Sequence, residues 1–257
     1  MLDLPAAALL ALSCLDLTSL NALDTEDDIA RLCQRAQGRF GLVAAVCVWP
    51  RLAAFARQHL PDAISVAAVV NFPEGGGDVE QAVRDTGLIV QSGAQEVDVV
   101  LPYRHLMAGD NAPVAAVLGA VRKASAGLRL KVILETGQLQ HPALISQACR
   151  MALDAGADFL KTSTGKTQVS ATPDAARLLL QAIARHPQRA HRVGFKPSGG
   201  IRTVRDAMVY MALTAQVLGP EALQAQRFRI GASSILDDIE AVLGGTSVAP
   251  TALPGSY

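Results

Sequence analysis

Aromatic residues are scarce in this sequence, and their scarcity restricts what can fill a core. Only 4% of the 257 residues are Phe, Trp or Tyr, although 50% are hydrophobic. The interior must therefore come mainly from Ala, Val, Leu and Ile, which fill barrel strands and the helices that cover them. This is ample material for one large core.

An excess of charge of either sign is also lacking. Lys plus Arg number 23 and Asp plus Glu number 23, so no whole-molecule field would hold the chain on nucleic acid or on an acidic membrane. No apolar run approaches the roughly 20 residues that a membrane helix needs. We therefore expect no nucleic-acid or membrane partner, a cytoplasmic location, and only small, locally held anions as ligands.

The four cysteines form no metal or redox motif. Cys14, Cys33, Cys47 and Cys149 lie in apolar runs without Cys-x-x-Cys spacing, and the five histidines have no metal-like spacing. We expect reduced core cysteines, no metal and no cofactor. The apolar start, residues 4–15, lacks a basic region and runs directly into an aspartate, which indicates a first helix and strand rather than a signal peptide.

Short runs rich in Val and Ile recur along the chain and predict buried strands. Because they are nearly continuous in apolar residues rather than alternating, they are typical of a parallel sheet. Segments with helical spacing lie between most of them. Thr25 and Gly38 are placed to cap and to stop one such helix, and Thr172 with Pro173 begins another. The predicted strands are 13–17, 42–48, 64–70, 96–101, 130–134, 158–161, 193–196 and 228–231.

The alternation of strand and helix predicts the architecture. Successive strand ends are spaced by roughly 20 to 35 residues, which suits one βαβ unit each. No linker or shift in charge divides the chain, so eight units favour a single closed (β/α)8 TIM barrel over an open doubly wound sheet. We expect the barrel to occupy residues 1–243. Residues 244–257, rich in Gly, Pro, Ser and Thr, are expected to form a flexible tail.

Three ionisable residues lie in or at the end of predicted strands, where barrels present their reacting groups. They are Asp98, Lys161 and Lys196. A buried ion pair is one explanation, but two lysines facing one aspartate leave a surplus cation, which favours a nucleophile. At about 4 Å and an effective dielectric near 20, one ammonium would lower the pKa of the other by about 3 units. The neutral amine could attack a carbonyl and Asp98 could move protons, with Lys196 or a water as relay.

Glycine-rich loops after three predicted strands indicate a phosphate site. In barrels, loops after the last two strands often bind phosphate because their backbone N–H groups converge on the anion. No nucleotide-binding P-loop string is present. The candidate residues are Thr164, Gly165, Lys166, Gly199, Gly200, Gly231, Ser233 and Ser234.

The sequence resembles the deoxyribose-phosphate aldolase family in strings that follow one another along almost the whole chain. These strings are CLDLTSLN (14–21), VCVWP (46–50), VVNFPEG (69–75), EVDVVLPYR (96–104), KVILETGQL (131–139), DFLKTSTGK (158–166), VGFKPSGGIRT (193–203) and FRIGASS (228–234).

The resemblance implies a class I aldolase that reversibly cleaves 2-deoxy-D-ribose 5-phosphate to acetaldehyde and D-glyceraldehyde 3-phosphate without a metal, in deoxyribose phosphate catabolism. It implies that Lys161 forms the Schiff base, a choice that the charge argument leaves open, and that Asp98 and Lys196 transfer protons. It places Lys166 and the glycine and serine pairs at the phosphate, and Asp16 beside Lys196. Tyr257 either folds over the barrel mouth to move a proton or is part of a disordered end.

Two alternatives remain open at this point. The chain could be another Schiff-base sugar-phosphate aldolase, or a transaldolase-like barrel, acting on a different phosphorylated sugar. It could instead be a non-catalytic barrel in which the charged residues only anchor such a ligand. A homodimer also stays open, because an interface stripe on a helix has the same pattern as a stripe that faces the barrel.

Overall fold

A parallel eight-stranded sheet forms the centre of the protein in the computed structural model, which describes residues 2–245. Each strand pairs with its successor up to β7, and β1 also pairs with β8. Bridges from Phe195 to Phe228 and from Ser198 to Gly231 join β7 to β8 and close the ring. The predicted single (β/α)8 barrel is confirmed. The strands are β1 Leu15–Thr18, β2 Ala45–Val48, β3 Ser65–Val70, β4 Glu96–Val100, β5 Arg129–Ile133, β6 Phe159–Lys161, β7 Gly194–Lys196 and β8 Ile230–Ala232.

Helices surround the sheet, and none within residues 2–245 is long and apolar enough to cross a membrane. A short 3-10 turn, Pro220–Ala222, lies before β8. The helices are α1 Leu4–Ser13, α2 Glu26–Arg35, α3 Pro50–Gln58, α4 Val79–Gln91, α5 Tyr103–Met107, α6 Ala112–Ala124, α7 Thr136–Leu139, α8 Pro142–Asp154, α9 Pro173–Ala184, α10 Val204–Leu218 and α11 Ile235–Leu243.

Two helix starts follow the predicted capping chemistry. Thr25 caps α2 and forms a reciprocal capping box with Asp28, and Thr172 accepts from the backbone of Ala175 at the start of α9. The predicted end of α2 at Gly38 is wrong, because α2 ends at Arg35 and a two-stranded hairpin of Gln37–Gly38 and Gly41–Leu42 follows. That hairpin also takes up Leu42, the first residue of the predicted strand 42–48.

The two faces of the barrel strands differ in chemistry. Outward side chains such as Val66 and Val97 belong to the main apolar cluster shared with the helices, whereas Cys47 and Val69 belong to a small inner cluster with Leu20. Other inward positions carry buried charges in place of the branched aliphatic layers common in such barrels. The four cysteines are buried and free, as predicted.

The register of the strands brings the charged residues together. Lys131 is the partner of Asp98 across β4 and β5, and Lys196 is the partner of Lys161 across β6 and β7. Residues paired across neighbouring strands point to the same face of a sheet. The barrel interior therefore receives several charges from adjacent strands at nearly one level.

Candidate active site

Asp98 lies at the centre of a buried charge network inside the barrel. Its Oδ2 is 2.8 Å from the Nζ of Lys161 and 2.8 Å from the Nζ of Lys196, and its Oδ1 is 2.7 Å from the Nζ of Lys131. The two predicted lysines thus share one carboxylate oxygen. Lys131 is a third lysine in the network, to which the sequence analysis assigned no role.

Asp16 and Glu96 extend the network away from the mouth. Asp16 accepts from Lys196 and, at 2.6 Å, from Nη1 of Arg229. Glu96 forms an ion pair with Lys131 at 2.6 Å and accepts from Arg229 at 2.9 Å. The half-buried Arg129 contacts it from the start of β5. The carboxylates therefore lie between cations, which offsets the cost of burying either kind of charge alone.

Charge balance distinguishes Lys161 from the other lysines. The buried side chains of the network comprise four cations, Lys131, Lys161, Lys196 and Arg229, and three carboxylates, Asp16, Glu96 and Asp98. Among the described residues 2–245, Lys131 has three carboxylate partners and Lys196 has two, whereas Lys161 has only Asp98. The surplus cation is therefore compensated least at Lys161, and its deprotonation would leave three charges of each sign.

The pKa values of the three lysines diverge accordingly. Burial lowers the pKa of Lys161, Asp98 opposes this shift, and repulsion from Lys196 lowers the pKa further. Burial would also lower the pKa of Lys196, but Asp16 and Asp98 outweigh it and raise that pKa. The same balance, with three carboxylate partners, raises the pKa of Lys131. Lys161 is thus the amine of the three that most readily becomes neutral.

The neighbouring cations lower the pKa values of the buried aspartates. Burial alone would raise the pKa of Asp98, but Lys131, Lys161 and Lys196 together hold it well below its usual value. Lys196, Lys131 and Arg229 likewise overcome burial and lower the pKa of Asp16. Both groups are therefore ionised in the resting protein.

The contacts of Asp98 with Lys161 and Lys196 confirm that two lysines face one aspartate, but the predicted set of buried charges was incomplete. Four buried cations share three carboxylates. Burial lowers the pKa of Lys161 more than repulsion from Lys196 does. The predicted separation of about 4 Å between the two amines agrees with the structure. Because Lys161 and Lys196 each lie 2.8 Å from the same oxygen, their Nζ atoms can be no further apart than twice that distance.

A cavity of about 340 Å³ opens above the network at the carboxyl ends of the strands. Lys161 is among the residues that line it, whereas Asp98, Lys131 and Lys196 lie beneath. The predicted phosphate residues also line this cavity, namely Thr164, Gly165, Lys166, Gly199, Gly200, Gly231, Ser233 and Ser234. The reacting amine and the glycine-rich loops therefore share one space.

Close backbone packing explains several of these glycines. Gly199 and Gly200 have φ values of 81° and 79°, a left-handed conformation that glycine adopts readily. A Cβ on Gly199 would lie 2.6 Å from Oγ of Ser170, and one on Gly231 would lie 3.0 Å from Cε of Lys196. The backbone at Gly231 can approach Lys196, and the backbone at Gly199 can approach Ser170, only because these two positions lack side chains.

The rim of the cavity carries features suited to an anion. Ser233 and Ser234 precede α11, and Ser234 makes no side-chain cap bond, so the first amides of this helix receive no acceptor from it. Lys166 contributes a cation that the sequence analysis singled out. Arg202, which was not predicted from the sequence, lines the same cavity. Its position directly after Gly199-Gly200-Ile201 was the available signal.

The remaining predicted residues have different places. Asp16 is fully buried under Lys196 and does not line the cavity. Tyr257 and the tail from residue 246 lie outside the described residues. Within residues 2–245, no group of three or more His, Cys, Asp or Glu side chains is arranged to hold a metal ion.

Comparison with known proteins assigns the family. The model of the DeoC/LacD family of aldolases matches residues 10–238, which is most of the chain. This chain belongs to the DeoC/LacD aldolase family. It is therefore an enzyme, a carbon–carbon lyase.

Individual members of the aldolase family resemble the chain over nearly its whole length. It is 49% identical to the deoxyribose-phosphate aldolase of Agrobacterium fabrum, over 96% of this chain and 95% of that protein. A crystal structure from Coccidioides immitis, assigned as such an aldolase, has a TM-score of 0.78 and 32% identity, with 90% and 85% of the two chains covered. A crystal structure from Toxoplasma gondii, also assigned as a deoxyribose-phosphate aldolase, has a TM-score of 0.85 and 25% identity, with 95% of this chain and 96% of that chain covered.

Proposed function

We propose that this aldolase reversibly cleaves 2-deoxy-D-ribose 5-phosphate to acetaldehyde and D-glyceraldehyde 3-phosphate through a Schiff base on Lys161. The relatives named above support the substrate. The observation that carries the mechanism is that Lys161, alone among the three network lysines, both lines the cavity and has a lowered pKa. The reaction would serve the breakdown of deoxyribose phosphates.

The proposed chemistry begins with the neutral amine of Lys161. Its nitrogen attacks C1 of the open-chain sugar, and the carbinolamine loses water to form an imine. Once protonated, the imine withdraws the electron pair of the C2–C3 bond as the C3 hydroxyl loses its proton. D-Glyceraldehyde 3-phosphate leaves, C2 of the remaining enamine takes up a proton, and water releases acetaldehyde from the lysine.

Asp98 and Lys196 are proposed to transfer protons in these steps. Asp98 Oδ2 contacts both amines at 2.8 Å, so a proton can pass between Lys161 and Lys196 through one atom. The low pKa of Asp98 makes it a weak base while three cations surround it. When Lys161 is neutral, one of those cations is gone and the basicity of Asp98 increases. Asp16 is proposed to hold Lys196 in place.

The phosphate is proposed to lie between Lys166 and the start of α11. Backbone amides at Gly200, Ser233 and Ser234 would donate to its oxygens, with Thr164, Gly165, Gly199 and Gly231 shaping the surrounding wall. The cavity provides room for one small phosphorylated sugar beside Lys161. Tyr257, whose place is not described, is proposed to reach the acetaldehyde methyl group.

Product analysis tests this function against its alternative. The protein is incubated with 2-deoxy-D-ribose 5-phosphate and separately with fructose 1,6-bisphosphate, and the released aldehydes are identified by mass spectrometry after derivatisation. We expect acetaldehyde and D-glyceraldehyde 3-phosphate from the first substrate and no cleavage of the second. Cleavage of the second substrate alone would favour another Schiff-base sugar-phosphate aldolase. Cleavage of neither would contradict the proposed substrate.

A further inference from the structure

Glu135 is a buried carboxyl group to which the proposed reaction gives no role. It follows β5, is fully buried and does not line the cavity. Its φ and ψ are 55° and 56°, a left-handed conformation that is unfavourable for a residue with a side chain. An unfavourable backbone conformation persists only where the surrounding contacts fix it. The contacts of this side chain are therefore informative.

Those contacts all go to the loop that follows Lys161. Oε2 of Glu135 accepts from the backbone N of Thr164 at 3.3 Å and from its Oγ1 at 2.5 Å. Oγ1 of Thr164 in turn accepts from the backbone N of Lys166 at 3.0 Å. Oε1 of Glu135 lies 3.3 Å from Oγ1 of Thr167. A chain of hydrogen bonds thus runs from Glu135 through Thr164 to the backbone of Lys166.

The segment after Glu135 supports the same loop by direct packing. A Cβ on Gly137 would lie 2.0 Å from the carbonyl oxygen of Val169, so only glycine permits this approach. On the other side of the loop, a Cβ on Gly199 would lie 3.0 Å from Cα of Gly165. Loop 164–169 is therefore enclosed between the start of α7 and Gly199.

We propose that Glu135 is a positioning residue that holds loop 164–167 so that Gly165 and Lys166 face the substrate phosphate. This inference rests on the proposed function, because it takes the phosphate to bind at that loop. Glu135 acts through Thr164 and does not touch the substrate. Its loss should weaken the binding of phosphorylated substrates and leave the chemistry at Lys161 nearly unchanged.

The hydrogen-bond inventory predicts which substitution retains this role. Thr167 Oγ1 has one proton and a nearer acceptor, the carbonyl oxygen of Val169 at 2.9 Å. A donor at the Oε1 position of residue 135 could therefore bond to Thr167 Oγ1, while the other oxygen accepts from Thr164. Burial raises the pKa of Glu135, and hydrogen bonds from Thr164 oppose that shift. A glutamine side chain supplies both the acceptor for Thr164 and the donor for Thr167, whereas alanine supplies neither.

Steady-state kinetics of two variants with two substrates tests the proposal. For Glu135→Ala we expect the KM for 2-deoxy-D-ribose 5-phosphate to rise about tenfold or more, because the loop loses its acceptors. The kcat/KM for unphosphorylated 2-deoxy-D-ribose and the trapping of acetaldehyde on Lys161 should change less than about twofold. Glu135→Gln should stay within about twofold of wild type for both substrates. Glu80→Ala, which removes an exposed carboxylate from α4, is the matched control and should change nothing.

An unchanged KM for the phosphorylated substrate in Glu135→Ala would overturn the proposal, as would an equal loss for both substrates. Should that variant fail to fold, Thr164→Val removes the hydroxyl that links Glu135 to Lys166. It must then raise the same KM, and an unchanged value would be equally decisive against the proposal. If wild type does not cleave the phosphorylated substrate, the proposed function fails by itself. Calorimetric titration of wild type and Glu135→Ala with inorganic phosphate then still tests Glu135, with weaker binding to the variant expected and equal binding contradicting the inference.

Discussion

Replacing Lys196 with methionine tests the electrostatic explanation for the reactivity of Lys161. The substitution removes one buried cation and keeps a side chain of similar length. Asp98 retains Lys131 and Lys161 as partners, and Asp16 retains Lys131 and Arg229. No carboxylate of the network is left without a cation, so we expect the variant to fold.

The size of the effect follows from the geometry. The Nζ atoms of Lys161 and Lys196 each lie 2.8 Å from Asp98 Oδ2, which limits their separation to twice that distance. At about 5 Å and an effective dielectric of about 20, two unit charges repel by about 3 kcal/mol, or about 2 pKa units. Removing this repulsion favours the protonated amine. The pKa of Lys161 should therefore rise by about 2 units, although burial still lowers it.

The assay must separate this shift from the loss of a proton-transfer group. The rate at which borohydride traps acetaldehyde on Lys161 is measured against pH, because turnover also depends on Lys196. The rate rises with pH as the amine becomes neutral, so the inflection of the Lys196→Met curve should lie about 2 pH units above that of wild type. Lys123→Met, on the exposed face of α6, removes the same charge far from the site and should leave the curve unmoved. An inflection that stays in place or moves down in folded Lys196→Met would refute the reasoning.

Three further substitutions have expected outcomes in the same assays. Lys161→Arg should keep the fold and the ion pair with Asp98 but reduce turnover roughly 10⁴-fold or more, because guanidinium stays protonated and forms no imine; substantial residual turnover would count against Lys161. Lys166→Met should raise the KM for 2-deoxy-D-ribose 5-phosphate by about 10- to 100-fold, and an equal rise for unphosphorylated 2-deoxy-D-ribose would remove it from the phosphate site. Deleting Tyr257 should slow proton exchange at the acetaldehyde methyl by about 10²-fold, with phosphate binding retained; equal exchange rates, followed by NMR in deuterated buffer, would favour the disordered end.

The fold was predictable because its signals are local. Each barrel strand lies within or beside an apolar run, and the starts of α2 and α9 follow from Thr25 and Thr172. The predicted ends of strands and helices were less accurate. The hairpin after α2, for example, depends on backbone pairing of Gly38 with Gly41. Apolar periodicity does not distinguish that hairpin from the barrel strand that follows.

The site was predictable only where charge interrupts an apolar strand. Asp98, Lys161 and Lys196 stand out in this way. Lys131, the middle residue of β5, also interrupts an apolar run and was overlooked, and Glu96 begins β4. Their partnership depends on strand register, which sets Lys131 opposite Asp98. The alternation of Glu96 and Asp98 on one strand face was the available signal. No sequence signal pointed to Glu135, because its proposed role depends on a left-handed backbone conformation just after β5.

The central claim is that Lys161 is the amine that condenses with the aldehyde, and the site of covalent trapping tests it most directly. The folded protein is treated with acetaldehyde and borohydride, digested, and mapped by peptide mass spectrometry. We predict one added ethyl group on the peptide that contains Lys161, and no label on the peptides that carry Lys131 and Lys196. An ethyl group on either of those lysines, or no label on Lys161 in folded protein, would contradict the mechanism.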